Sequence, residues 1–229
     1  MSIAEIAPRI QHTNVRPDAT QGDIERLLAE CVEQGFHAAV VSPIWLPLAV
    51  KSLDGTGVRV CTGLDIPLGG ETTATVVRAA GEARHAGAEE IDVMAKVGWL
   101  RAEMDIAFRM HLAAVVGAAD GAPVKAVLET ALLTKGEVAL AVELCVDGGI
   151  TYLQNSSGLN GGDATPGVVA DLVRLARARM MVKASGGIET RDVAQALLAA
   201  GADLLGTGAG VEILSQEPGD ERATAAVAS

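Results

Sequence analysis

The chain is predicted to fold as one α/β domain, a (β/α)8 TIM barrel, on three observations. Eight short aliphatic runs recur along its 229 residues, each followed by a small or charged cluster and then by a segment with helical spacing. The runs lack polar alternation, as parallel strands covered on both faces do. The first run leads into His12-Thr13-Asn14-Val15-Arg16-Pro17, without the G-x-G-x-x-G turn of an open doubly wound sheet.

In chain order the strand-like runs are Arg9–Thr13, Phe36–Ser42, Val58–Leu64, Glu90–Lys96, Val124–Glu129, Thr151–Asn155, Met180–Ala184 and Asp203–Gly206. Amphipathic stretches separate them at Asp23–Gln34, Glu71–Ala86, Met104–Ala119, Lys135–Asp147, Pro166–Ala178 and Arg191–Ala200. Gly35, Gly87, Gly148 and Gly201 stand at expected helix stops. Residues 1–215 therefore read as the barrel domain. The polar and small residues from Gln216 to Ser229 read as a flexible C-terminal tail.

Composition limits the functions. Eighteen basic against 29 acidic side chains leave a formal charge of −11, which disfavours nucleic acid as a partner. Hydrophobic residues make up 49% but aromatics only 2%, so Ala, Val, Leu and Ile must fill the core. There is no apolar run long enough to cross a membrane, and the early Glu5 and Pro8 do not suit a secretory leader. A cytoplasmic protein is expected, and a homodimer is allowed but not required. Cys31, Cys61 and Cys145 lie in apolar contexts and read as core residues. His12, His37, His85 and His111 stand alone, so neither a metal nor a cofactor is expected.

Chemistry in such a barrel sits at the C-terminal strand ends. The chain has five lysines against 13 arginines, and Lys96, Lys125 and Lys183 lie near those ends. A buried ammonium lowers its pKa unless it is paired, and the neutral amine is what imine chemistry requires. Asp92 and Lys96, four apart on one strand, are expected to share a face, as are Lys125 and Glu129. Pairing with those carboxylates is the structural alternative for each lysine alone. Three lysines and two carboxylates converging on one mouth favour a site. Glycines add a second feature. Lys183 is followed by Ala-Ser-Gly-Gly, and the last strand runs into Gly-Thr-Gly-Ala-Gly, so Gly186, Gly187 and Gly208 could cradle an anion with backbone N–H groups.

At these residues the sequence resembles the deoxyribose-phosphate aldolase family, class I aldolases with a barrel fold. The matching stretches are IQHTNVRPDAT, VCTGLDIPLGGETT, EIDV, VKAVLETALLT, NSSGL, VKASGGIET and GTGAGV, in order between about Ile6 and Ile213. The resemblance implies a small-molecule carbonyl substrate. It also implies a proton-relay aspartate at Asp92 and, at Lys183, a lysine that tunes an imine lysine on strand six; Lys125 and Glu129 match charged residues of strand five. Where the family reads K-T-S-T-G, this chain reads Gln154-Asn155-Ser156-Ser157-Gly158, and an amide forms no Schiff base. The family's G-F-P is Asp65-Ile66-Pro67 here, its strand-four asparagine is Lys96, and its G-T-S-S-G is Gly206-Thr207-Gly208-Ala209-Gly210.

Because these departures gather on the site, the expected function is a repurposed aldolase-like lyase or synthase, not deoxyribose-phosphate aldolase proper. Its amine would have moved to Lys183, Lys96 or Lys125, with Asp92 moving protons. Gln154, Asn155, Glu129, Asn14, Gly186, Gly187 and Gly208 are expected to contact substrate. An imine-independent cyclase, isomerase or decarboxylase, or a non-catalytic binding protein, are the alternatives.

Overall fold

The computed structural model describes residues 1–216, in which eight parallel strands close into a barrel in chain order. They are β1 (Ile10–Asn14), β2 (Ala38–Val41), β3 (Arg59–Leu64), β4 (Glu90–Met94), β5 (Val124–Val127), β6 (Tyr152–Gln154), β7 (Met181–Ser185) and β8 (Leu204–Thr207). The helices are α1 (Ile3–Ile6), α2 (Gln21–Gln34), α3 (Leu46–Leu53), α4 (Thr73–His85), α5 (Val97–Arg101), α6 (Asp105–Ala118), α7 (Lys135–Asp147), α8 (Pro166–Ala176), α9 (Arg191–Ala199) and α10 (Gly210–Ser215). No helix among the described residues is long and apolar enough to span a membrane.

Threonine starts the principal helices. The side chains of Thr20, Thr72, Thr134, Thr165 and Thr190 each accept an N–H three residues on, at the heads of α2, α4, α7, α8 and α9. Each such cap stabilises its helix by about 1 kcal/mol. The outer core lies between sheet and helices, where Ile91 and Val93 of β4 join one cluster with Phe108, Leu112 and Val115 of α6. The strand period then turns the neighbours of those residues inward. Gln11, Glu90, Asp92, Lys125, Gln154 and Lys183 are all buried, so much of the barrel interior is polar.

Four predicted strands end early. β4 stops at Met94, because Lys96 already caps α5, and β5 stops at Val127, before Glu129 turns left-handed at φ 49°. β2 and β6 are likewise shorter than their aliphatic runs. The helix at Leu46–Leu53 was not expected. Pro47 hid it, although a proline in the first helical turn loses no hydrogen bond. α8 ends two residues early, at left-handed Arg177 and Ala178. Gln216 is bound rather than loose, its side-chain oxygen accepting the Arg191 N–H at 3.0 Å and its carbonyl the Arg191 guanidinium at 2.9 Å. The rest of the expected tail lies outside the described residues.

Candidate active site

Four neighbouring strands build the centre. In register, Asp92 of β4 lies beside Lys125 of β5, and Gln154 of β6 lies beside Lys183 of β7. Asp92 divides its carboxylate. Oδ2 accepts from Lys183 Nζ at 2.5 Å and Oδ1 from Lys125 Nζ at 3.0 Å, with the Cys61 thiol donating to Oδ1 at 3.4 Å. Burial opposes ionisation of Asp92, but the charges of Lys125 and Lys183 outweigh it and hold the carboxyl below its usual value. Burial likewise disfavours the Lys125 ammonium, and its neighbours, Asp92 first, then Cys61 and Glu90, more than restore it, so Lys125 stays charged. Of the three lysines expected to converge, Lys125 and Lys183 do so.

Below this centre sits a group that sequence reasoning missed. Glu90, two residues before Asp92 on the same face, accepts from Lys125 at 2.7 Å, Gln11 Nε2 at 2.7 Å and Arg59 at 2.9 Å, and its Oε1 lies 2.8 Å from His37 Nε2. The signal was available in Glu-Ile-Asp, where two carboxylates at strand spacing face one interior.

Gln154 takes the place the resemblance reserves for the imine lysine. Its Nε2 donates to the Ser156 carbonyl at 2.7 Å, while Oε1 finds no partner among the described residues. Beside it the strand ends of β7 and β8 open a cavity of about 560 Å³ whose lining includes Thr13, Ser185, Gly186, Gly187, Gly206 and Gly208. Two glycines there are closely approached by side chains. A Cβ on Gly206 would stand 2.7 Å from Lys183 Cε, and one on left-handed Gly187 would stand 2.6 Å from Asp163 Cγ. The first empty space holds the lysine chain and the second closes the loop.

Other predicted site residues serve elsewhere. Lys96 does not face Asp92, because β4 has already ended; it pairs with Asp65 and donates to the carbonyls of Glu71 at 2.7 Å and Gly69 at 3.1 Å. Glu129 does not meet Lys125; it accepts from the Ser157 N–H at 3.0 Å and braces the loop after β6. Asn155 clasps the Ser185 backbone at both ends of its amide, at 3.0 and 2.8 Å. Asn14 accepts from the Arg16 N–H at 3.3 Å, and it is Thr13 that reaches the cavity.

The cavity thus opens at the C-terminal strand ends, and its wall residue Gly206 packs against Lys183, which with Lys125 shares the buried Asp92 carboxylate. No profile of a known family matches the chain. Individual relatives do. The deoxyribose-phosphate aldolase of Thermosynechococcus vestitus is 42% identical over 210 residues, covering 92% of this chain and 96% of the relative. The chain belongs to the deoxyribose-phosphate aldolase family. The enzyme of that name from Dictyoglomus turgidum is 38% identical, with 94% of this chain and 98% of the relative covered. Among solved structures, the tetrameric deoxyribose phosphate aldolase of Aeropyrum pernix superposes with a TM-score of 0.88 at 30% identity, covering 93% of this chain and 91% of that one.

Membership of the deoxyribose-phosphate aldolase family makes the chain an aldolase-type enzyme, a lyase. It also corrects the expectation of a repurposed activity. Relatives this similar, aligned over nine-tenths of both chains, bear the family's own name, so the family activity is the one supported. The altered mouth residues do not outweigh that. Two of them, Asp65 and Lys96, satisfy each other and lie apart from Asp92.

Proposed function

We propose that the chain cleaves 2-deoxyribose 5-phosphate by imine chemistry, with Lys183 as the amine, Asp92 as the proton-transfer group and Lys125 as the fixed charge that keeps Asp92 ionised. The observation that carries this reading is the single carboxylate of Asp92 shared between Lys183 at 2.5 Å and Lys125 at 3.0 Å, beside the cavity at the ends of β7 and β8.

The chemistry follows from those positions. The substrate in its open form carries an aldehyde at C1 and a hydroxyl at C3, β to it, so the labile bond joins C2 and C3. Lys183 Nζ, freed of its extra proton, adds to C1; that proton and the one the nitrogen sheds after addition both pass to the former carbonyl oxygen, which leaves as water, and an iminium remains. Removal of the C3 hydroxyl proton by Asp92 breaks C2–C3, the electron pair moves toward the iminium, and a three-carbon aldehyde phosphate departs. Protonation of the enamine at C2 and addition of water release acetaldehyde and restore the amine. Gln154 offers its unpartnered Oε1 to a substrate hydroxyl, and the backbone of Gly186, Gly187 and Gly208 faces the phosphate arm. The strongly acidic chain disfavours nucleic acid, and we place it in the cytoplasm as a homo-oligomer.

The test is formation of acetaldehyde from 2-deoxyribose 5-phosphate by the full chain, followed with a coupled alcohol dehydrogenase. Turnover that Lys183→Met lowers by roughly a thousandfold or more supports the reading. No turnover by the wild type, or full turnover by Lys183→Met, contradicts it.

A further inference from the structure

Resting on the aldolase reading above, we propose that Glu90 is a positioning residue of the active site, acting from the floor of the barrel through Lys125 on Asp92 and Lys183. Lys125 is completely buried, and its ammonium lies between Glu90 Oε2 at 2.7 Å and Asp92 Oδ1 at 3.0 Å. One carboxylate would neutralise it. The second decides how its charge is divided, and hence how much of Asp92 remains for Lys183. Glu90 is itself fixed from three sides, by Gln11 of β1, by His37 just before β2 and by Arg59 of β3. An unbroken series of polar contacts therefore joins the Lys183 amine to the half-exposed Arg59 at the other end of the barrel.

The direction of the effect follows from the charges around Lys183. Asp92 and Glu90 project from β4, Lys125 from β5, Cys61 and Arg59 from β3 and Tyr152 from β6, with His37 before β2; β8 presents Gly206, which carries no charge. Without the carboxylate at position 90, the Lys125 ammonium leans wholly on Asp92 and competes with Lys183 for it. The Lys183 ammonium loses part of its partner, so its amine is freed at lower pH. Removing Arg59 acts the other way, because Glu90 then turns more of its charge toward the interior.

The experiment is a carbon-13 NMR titration of the full chain carrying ε-labelled lysine, in which five lysines give five signals. The Lys183 signal is assigned by its loss in Lys183→Met. Expected results are a fall of about one pH unit in the Lys183 midpoint for Glu90→Gln, recovery of most of it in Glu90→Asp, and a smaller rise in Arg59→Gln. If Glu90→Gln does not fold, the Arg59→Gln rise decides. An unchanged Lys183 midpoint in the folded variants, or shifts of the same sign for Glu90→Gln and Arg59→Gln, overturns the proposal. Cleavage of 2-deoxyribose 5-phosphate, measured in parallel, separates the two readings. Shifted midpoints with an inactive wild type retain the coupling and reject the aldolase assignment, whereas an active wild type with unshifted midpoints rejects the role of Glu90.

Discussion

Lys96 and Asp65 form a buried ion pair across the ends of β4 and β3, and Lys96 also donates to the carbonyls of Gly69 and Glu71, which fixes the loop between them. Asp65 has the left-handed backbone, φ 59°, that a glycine adopts freely. The pair thus acts as a charged latch across that turn.

Lys96→Asn alone or Asp65→Gly alone should destabilise the fold by about 3–5 kcal/mol, since each strands a buried charge. The double substitution should lose clearly less than the sum, with a coupling of about 1–3 kcal/mol in urea unfolding. Additive losses would show that the pair does not act as a unit.

Gly206→Ala should lower kcat while leaving the fold intact. The new methyl would sit 2.7 Å from Lys183 Cε, so the lysine chain must swing off Asp92 to admit it. A misplaced reacting group can lose about a hundredfold in rate. Steady-state kinetics with melting curves would check this, and wild-type kcat in the variant would mean that the Lys183 position is not critical.

His111 of α6 should make stability depend on mildly acidic pH. Its Nδ1 meets Thr73 Oγ1 at 3.1 Å, and burial first, then the charge of Lys96, pushes its pKa down from 6.5 to about 4. Between those values the unfolded chain binds a proton that the folded chain does not, so stability falls as pH drops from 6.5 toward 4, by up to about 3 kcal/mol. Relative to the wild type, His111→Gln should flatten the unfolding free energy over that window. Parallel curves for the two proteins would contradict this.

Much of the fold was legible because eight aliphatic runs and their helical partners repeat in one order, and α7 matches its expected limits at both ends. The ends of β4 and β5 were not legible, because Lys96 and Glu129 leave the strand through backbone turns that composition does not announce. That error moved Lys96 and Glu129 into the wrong company. Asp92, Lys125 and Lys183 were found because charge on a buried strand is conspicuous. Glu90 stands at the start of its strand, where a carboxylate reads as a solvated end, and only closure of the barrel turns it inward.

The most direct test is reduction with borohydride in the presence of 2-deoxyribose 5-phosphate or of acetaldehyde, followed by peptide mapping. Reduction converts an imine to a stable secondary amine, so the modified residue is read from its mass. The expected result is one two-carbon adduct from acetaldehyde, on Lys183, absent from Lys183→Met and diminished in Asp92→Asn. An adduct on Lys96 or Lys125 instead, or turnover that continues with no adduct on any lysine, would contradict Lys183 as the reacting amine.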